Sequence, residues 1–332
     1  MARLLLNRLL AACGIMLGLV VILFALQGIS HLDPAHEILG SNASQSAVNA
    51  ERHNLGLDRP IIDQFFTYLN HLVHGNLGVS YRTGQPVGQD LRAFLPATIE
   101  LVFYAVLAIV VLGGLFGLAT AMNWRGSFIF RFVMMAGSAT PTFLLAVIGL
   151  VIFYKYLGWV PAGGRSGDPL SPTGPTGFIT LDSVLHGQPT ALLDAWQHLL
   201  LPVFCIALIP SVSVGRVLRS SLTTSLTSDY IRTARSKGLS ERRIVIKHAL
   251  RNSVGPALSI LGLQVGGMFV GIAVVEATLS WPGIGSYAAQ SISYSDFPAI
   301  TGVTLALGIA YVAINFVVDT LQLLADPRQV RL

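Results

Sequence analysis

Asp229-Tyr230-Ile231-Arg232-Thr233-Ala234-Arg235-Ser236-Lys237-Gly238-Leu239-Ser240-Glu241-Arg242-Arg243 is the stretch on which the fold turns. Residues up to Lys237 form helix readily, Gly238 suits the left-handed position that closes a helix, and Ser240 suits the start of the next one. The pattern predicts helix, turn, helix. Nine Lys and Arg lie between Arg216 and Arg251. Charge vanishes on either side, because Leu199 to Gly215 and Asn252 to Val275 hold no Asp, Glu, Lys, Arg or His. A compact basic knob is therefore tied at both ends to apolar chain.

Four more charge-free runs appear further out: Leu9 to Ser30, Leu101 to Trp124, Phe132 to Tyr154 and Phe297 to Val318. A bilayer-crossing helix needs about 20 apolar residues, since hydrocarbon offers the backbone no water to bond. Six spans are predicted. The fourth, Leu199 to Gly215, is the shortest and carries Pro202 and Pro210, which points to a kink or a place between other helices. The whole chain agrees: of 332 residues 53% are hydrophobic and 11% charged, against roughly 25% charged in a soluble domain. A soluble enzyme is excluded. Cys13 and Cys205 both lie in apolar runs, so no disulfide scaffold, redox pair or cysteine zinc site is expected.

Orientation follows from Lys and Arg, which cytoplasmic loops retain. Nine basic residues in Arg216 to Arg251 face none in Glu276 to Asp296, which places both termini and the basic knob in the cytoplasm. The first run is too long for the 7–15-residue core of a cleaved signal peptide and is read as retained. The chain then divides into residues 1–30, the cytoplasmic amino terminus and first span; 31–96, an outer segment; and 97–332, a membrane core containing the loop 216–256. Within the outer segment Ile62, Phe65, Phe66, Leu69 and Val73 recur at helical spacing, predicting a small amphipathic helix over Ile61 to Val73. Gly158 to His198 is rich in Gly and Pro and reads mostly as loop. His31, Asp33, His36, Glu37, His53, His71 and His74 lack a recognised ligand spacing, and no metal is assigned to them.

Asp229 to Leu239, followed by His248-Ala249-Leu250-Arg251-Asn252, resembles the EAA loop of the permease subunits of ABC importers, in their dipeptide, oligopeptide and nickel branch. The similarity extends to Asp33-Pro34, Leu55 to Pro60, Leu77-Gly78, Leu95 to Thr98, Glu276 to Gly285 and Asp326-Pro327-Arg328. The long first outer segment is similar to that of the first of two paired permeases. One departure stands out: Arg232-Thr233-Ala234 replaces the general Glu-Ala-Ala, so no role of that glutamate transfers.

The resemblance implies an all-α membrane protein of the type I importer kind, with six spans and an EAA-type cytoplasmic hairpin. It implies that Asp229, Tyr230, Arg232, Thr233, Ala234, Lys237, Gly238 and Arg242 couple the chain to an ATPase. No Walker A sequence is present, so the chain itself is no enzyme and binds no cofactor, and ATP and Mg would belong to two cytoplasmic partner subunits. A second homologous permease and an extracytoplasmic binding protein complete the implied bacterial inner-membrane complex, with a peptide as the implied cargo. Trp281-Pro282-Gly283 with Glu276 has two readings, an outer gate or binding-protein contact and an interfacial tryptophan anchor. A rival function is ion-coupled secondary transport, with Glu100, Glu276 and Asp319 as coupling groups. A membrane-embedded enzyme finds no clustered His, Asp or Ser in the spans.

Overall fold

The computed structural model describes residues 2–29, 33–40, 43–124, 126–167 and 174–325. In chain order the helices are α1 (Ala2–Ile29), α2 (Pro34–Leu39), α3 (Gln45–Asn54), α4 (Ile61–Val73), α5 (Val87–Ala121), α6 (Ser127–Ser138), α7 (Thr142–Tyr156), α8 (Ile179–Leu185), α9 (Pro189–Leu226), α10 (Asp229–Ser236), α11 (Glu241–Thr278), α12 (Ile284–Ser293) and α13 (Phe297–Ala325). Among the described residues there is no strand, only an isolated antiparallel bridge between Val79 and Pro86. The chain forms two compact units, one of Met1–Phe94 with Tyr287–Val312 and one of Leu95–Ser286 with Ala313–Leu332.

Among the described residues, four helices are long and apolar enough to cross a membrane: α5, α9, α11 and α13. The third expected span is broken. Pro141 has no amide to donate and disfavours helix at the residue before it, so α6 ends at Ser138, α7 begins at Thr142, and the two are bent by 113°. Counted as one span, the pair raises the number to five. The first expected span lies in α1, whose apolar part is Cys13–Ile29. The fourth lies within a 38-residue helix set between others, with 72% of its apolar stretch buried, against 33% in α5. Pro202 and Pro210 sit inside it, among other helices.

Among its described residues, Gly158 to His198 is loop up to Phe178, as expected, and then holds α8 and the first ten residues of α9. Pro189 starts α9 at its first turn, where a missing amide costs nothing and the fixed φ suits a helix. α11 runs through Gly255 and Pro256 without a break.

In the second unit α9 is the central helix. Leu199, Cys205, Ile206, Leu218 and Leu222 of α9 are buried with Leu101, Ala105 and Ile109 of α5 and with Leu261, Val265, Met268 and Ile272 of α11. Helices can pack closely in lipid through small residues. Gly215 shows this: a Cβ there would run into the Phe116 ring and the Gly113 carbonyl of α5. In the first unit α13 and α1 meet where a Cβ on Gly308 would lie 3.1 Å from the Met16 sulfur. Asp296 accepts from Ser80 Oγ, the Arg82 amide and, at 3.2 Å, the Ala299 amide in the first turn of α13. Tyr287 donates to Asp90 at 2.8 Å and stacks on Phe94 at 5.0 Å. Burial, then the Asp90 bond, hold the Tyr287 phenol well above its usual range.

Candidate functional site

The basic knob is built as the local sequence dictates. Gly238 takes φ +74°, the Leu239 amide bonds back to the Ala234 carbonyl at 3.4 Å, and the Gly238 amide bonds to Arg235 at 2.9 Å. This pair of bonds is a Schellman closure, and Leu239 packs against the core as its hydrophobic partner. Ser240 occupies the cap position of α11 but makes no side-chain bond there. The turn is instead clasped by Arg235, whose Nε lies 2.7 Å from Glu241.

One face of α10 is buried: Ile231 and Ala234 pack with Ile244 and Ala249 of α11. Asp229, Tyr230, Arg232, Thr233, Lys237, Gly238 and Arg242 are exposed. Seven of the eight sequence-predicted coupling residues thus lie on one accessible surface, while Ala234 faces inward and serves packing. The mounting was not anticipated. Ser225 at the end of α9 lies 3.0 Å from Ser253 of α11, and Ser228 Oγ donates to the Ser225 carbonyl. Burial works to raise the Tyr230 phenol, but hydrogen bonding with Asn252, Ser225 and Ser228 outweighs it and leaves it below the ordinary value. α10 is therefore pinned to both flanking long helices.

At the other end of α11 a second constellation forms. Glu276 is fully buried. One carboxylate oxygen accepts from Thr98 Oγ1 at 2.6 Å, and the other accepts from the amides of Gly285 at 2.6 Å and Ser286 at 3.1 Å. Thr98 in turn accepts the Ile284 amide at 2.8 Å. The three amides that open α12 are thus all satisfied, that of Ile284 by the Thr98 hydroxyl and those of Gly285 and Ser286 by a carboxylate placed where the helix dipole favours negative charge. Gly283 and Gly285 have no alternative, because a Cβ at either would overlap the Glu276 carboxylate. Trp281 is 1% exposed and donates Nε1–H to the Ala97 carbonyl at 3.2 Å, so it packs inside the protein and does not act as an interfacial anchor. Of Glu276, Trp281, Pro282 and Gly283, only Pro282 is exposed.

Glu100, a coupling group in the ion-driven reading, does not reach water either. It accepts from Arg165 through Nε and a terminal nitrogen on one oxygen, and from the Thr180 amide (2.9 Å) and hydroxyl on the other. Arg165 also donates to the Gly177 carbonyl. Sequence reasoning missed Arg165, since its partner lies 65 positions away. The side chain of Asp319, along with His31 and Asp326-Pro327-Arg328, lies outside the described residues. The histidines of the first outer segment are engaged separately: His53 with Asp58 at 2.9 Å and His74 with the Asn70 carbonyl at 2.8 Å.

Comparison with known proteins adds the following. Residues 109–331 match the family "Binding-protein-dependent transport system inner membrane component", and residues 1–102 match the amino-terminal region of such components. The chain is 41% identical over 315 residues to a probable D,D-dipeptide transport system permease protein of Escherichia coli K12, covering 94% of this chain and 92% of that one. It is 38% identical to a di/tripeptide transport system permease of Pseudomonas aeruginosa, over 94% of each chain. It is 35% identical to a dipeptide transport system permease of Alkalihalophilus pseudofirmus, over 97% of each. A chain of the MetNI methionine ABC transporter, solved in inward-facing conformations, is similar in fold, with a TM-score of 0.52 and 15% identity over 72% of this chain and 97% of that one.

Proposed function

We propose that this chain, which belongs to the family of binding-protein-dependent transport system inner membrane components, carries short peptides through the membrane as the permease of an ATP-driven ABC importer. Membership makes it a multi-pass inner-membrane protein that works with other components of an ABC transporter. In the arrangement proposed here, six spans leave both termini and loop 216–256 in the cytoplasm and residues 31–96 outside. A second homologous permease forms the other half of the pathway. Two cytoplasmic subunits bind and hydrolyse ATP with Mg, and an external binding protein delivers the peptide.

The observation that carries this reading is the mounting of α10. Its outer surface is exposed and basic, while its inner face packs on α11 and Ser228 and Tyr230 tie it to Ser225 of α9 and Asn252 of α11. A push on that surface by an ATPase passes into two long helices together. Two-state transport requires contacts that differ between states, and a rigid knob on an ATPase subunit that moves with nucleotide supplies them. At the far end of α11, the Glu276, Thr98 and Trp281 cluster holds α5, α11 and the start of α12 as one piece, as an outer gate element must be held. The ion-coupled alternative is disfavoured by the same cluster, because a coupling carboxylate has to bind and release an ion. Glu100 and Glu276 are both saturated by internal donors.

The test is uptake of a labelled dipeptide into proteoliposomes containing the full complex. Uptake is expected only with ATP and with the binding protein. Uptake by this chain alone, driven by an ion gradient, would overturn the reading.

A further inference from the structure

α4 carries more apolar surface than the protein covers. At 3.6 residues per turn, Ile62, Phe66, Leu69 and Val73 fall within about 60° of one another, and Phe65, Tyr68 and Leu72 form an adjoining stripe. The second stripe is covered: Phe24 of α1 meets Phe65 at 5.3 Å and Tyr68 at 5.6 Å between ring centroids, and the Tyr68 hydroxyl lies 3.4 Å from Thr301 of α13. The first stripe is open, with Ile62 65%, Phe66 61% and Val73 76% exposed. Asp63, Asn70 and His71 lie on the side turned away from the two stripes taken together, also exposed.

The depth of these contacts identifies what covers the open stripe. α1 and α13 run antiparallel, since Gly308 approaches Met16 and Leu19 while Thr301 and Phe24 share Tyr68. The end of α1 at Ile29 is therefore level with the start of α13 at Phe297. The charge-free runs Leu9 to Ile29 in α1 and Phe297 to Val318 in α13 are each about 32 Å of helix, close to a hydrocarbon core of about 30 Å, and both reach the edge of that core at this level. Phe24 lies about 7 Å and Thr301 about 6 Å from those ends. α4 is thus held at the boundary between acyl chains and headgroups.

We propose that α4 lies in the membrane interface, with Ile62, Phe66 and Val73 inserted among the lipid acyl chains and Asp63, Asn70 and His71 turned to water, so that the first outer segment is anchored on the bilayer. This goes beyond the transport reading but rests on its membrane placement.

Nitroxide labels test it, in the assembled complex in phospholipid nanodiscs. Single cysteines replace Phe66, Val73, Asp63, Asn70 and, as a reference on the exposed face of α1, Val21, in a Cys13→Ser, Cys205→Ala background. Collision with dissolved oxygen, which concentrates in lipid, is compared with collision with a water-soluble nickel chelate. The oxygen-to-chelate ratio at positions 66 and 73 is expected to be several-fold above that at 63 and 70 and close to that at 21. Ratios at 66 and 73 equal to those at 63 and 70 would overturn the proposal, and so would labels shielded from both reagents, which would mean that a protein partner covers the stripe. If position 21 also met the chelate, the membrane placement itself would be wrong.

Discussion

The two ends of α11 use the same backbone device in opposite surroundings. Before α11, Gly238 takes a left-handed φ, and the Leu239 amide reaches back to the Ala234 carbonyl. After α11, Ser280 takes φ +52°, and the Trp281 amide reaches back to the Glu276 carbonyl at 2.9 Å. A left-handed conformation costs an ordinary residue about 1–2 kcal/mol. The exposed turn avoids that cost with glycine, while the buried turn carries it on a serine because the Thr98, Glu276 and Ala97 bonds hold the surrounding chain. About 57 Å of helix separates the two ends. One is shaped by local chemistry and left open for contact, and the other is shaped by long-range contacts and closed.

The largest effect should come from the closed end. Arg165→Ala leaves Glu100 buried without its cation, and breaking such a pair costs roughly 3–5 kcal/mol. The expected outcome is a marked fall in the thermal midpoint of the detergent-purified complex, partly recovered when Glu100→Ala is added. Equal midpoints for Arg165→Ala and wild type would mean that this end is not locked as described. Glu276→Ala comes next, at about 2–3 kcal/mol, since it strands the Gly285 and Ser286 amides and the Thr98 hydroxyl. Glu276→Gln keeps the acceptor on one side and should lose less, which a parallel melting series would read.

Gly238→Val places a β-branched residue at positive φ, costing about 1–2 kcal/mol in the turn alone. A Cβ there meets no neighbour within 4 Å, so crowding is not the cause. The midpoint should barely move while peptide-stimulated ATP hydrolysis falls, and Gly238→Asn, which tolerates the left-handed region, should retain activity. A fully coupled Gly238→Val complex would contradict the role given to this turn. Smallest of all is Arg235→Ala. Its partner Glu241 is 57% exposed, and such pairs are screened by solvent, so no measurable change in midpoint is expected. A clear loss would show that the open end is more tightly held than its exposure indicates.

Which features were legible in the sequence follows the same division. Gly238 and the helices flanking it could be read because a left-handed glycine and helix-forming neighbours act within a few residues. The amphipathic pattern over Ile61 to Val73 gave the bounds of α4 for the same reason. The apolar runs located α9, α11 and α13 but not their ends, since a helix continues past the lipid wherever its backbone bonds allow; α5 begins at Val87, ahead of Asp90 and Arg92. The break at Pro141 was also hidden, because an apolar run looks alike whether straight or bent.

By itself, the amino-acid order determined that this is a helical membrane protein with an exposed basic turn, because hydrocarbon imposes its demand on every stretch of chain and charge cannot be hidden there. Tertiary structure alone decided that Glu100 belongs to Arg165 and Thr180, and Glu276 to Thr98 and the first amides of α12, with 178 positions between Thr98 and Glu276. A buried carboxylate must find donors, but which donors it finds depends on which helices the packing brings to its side.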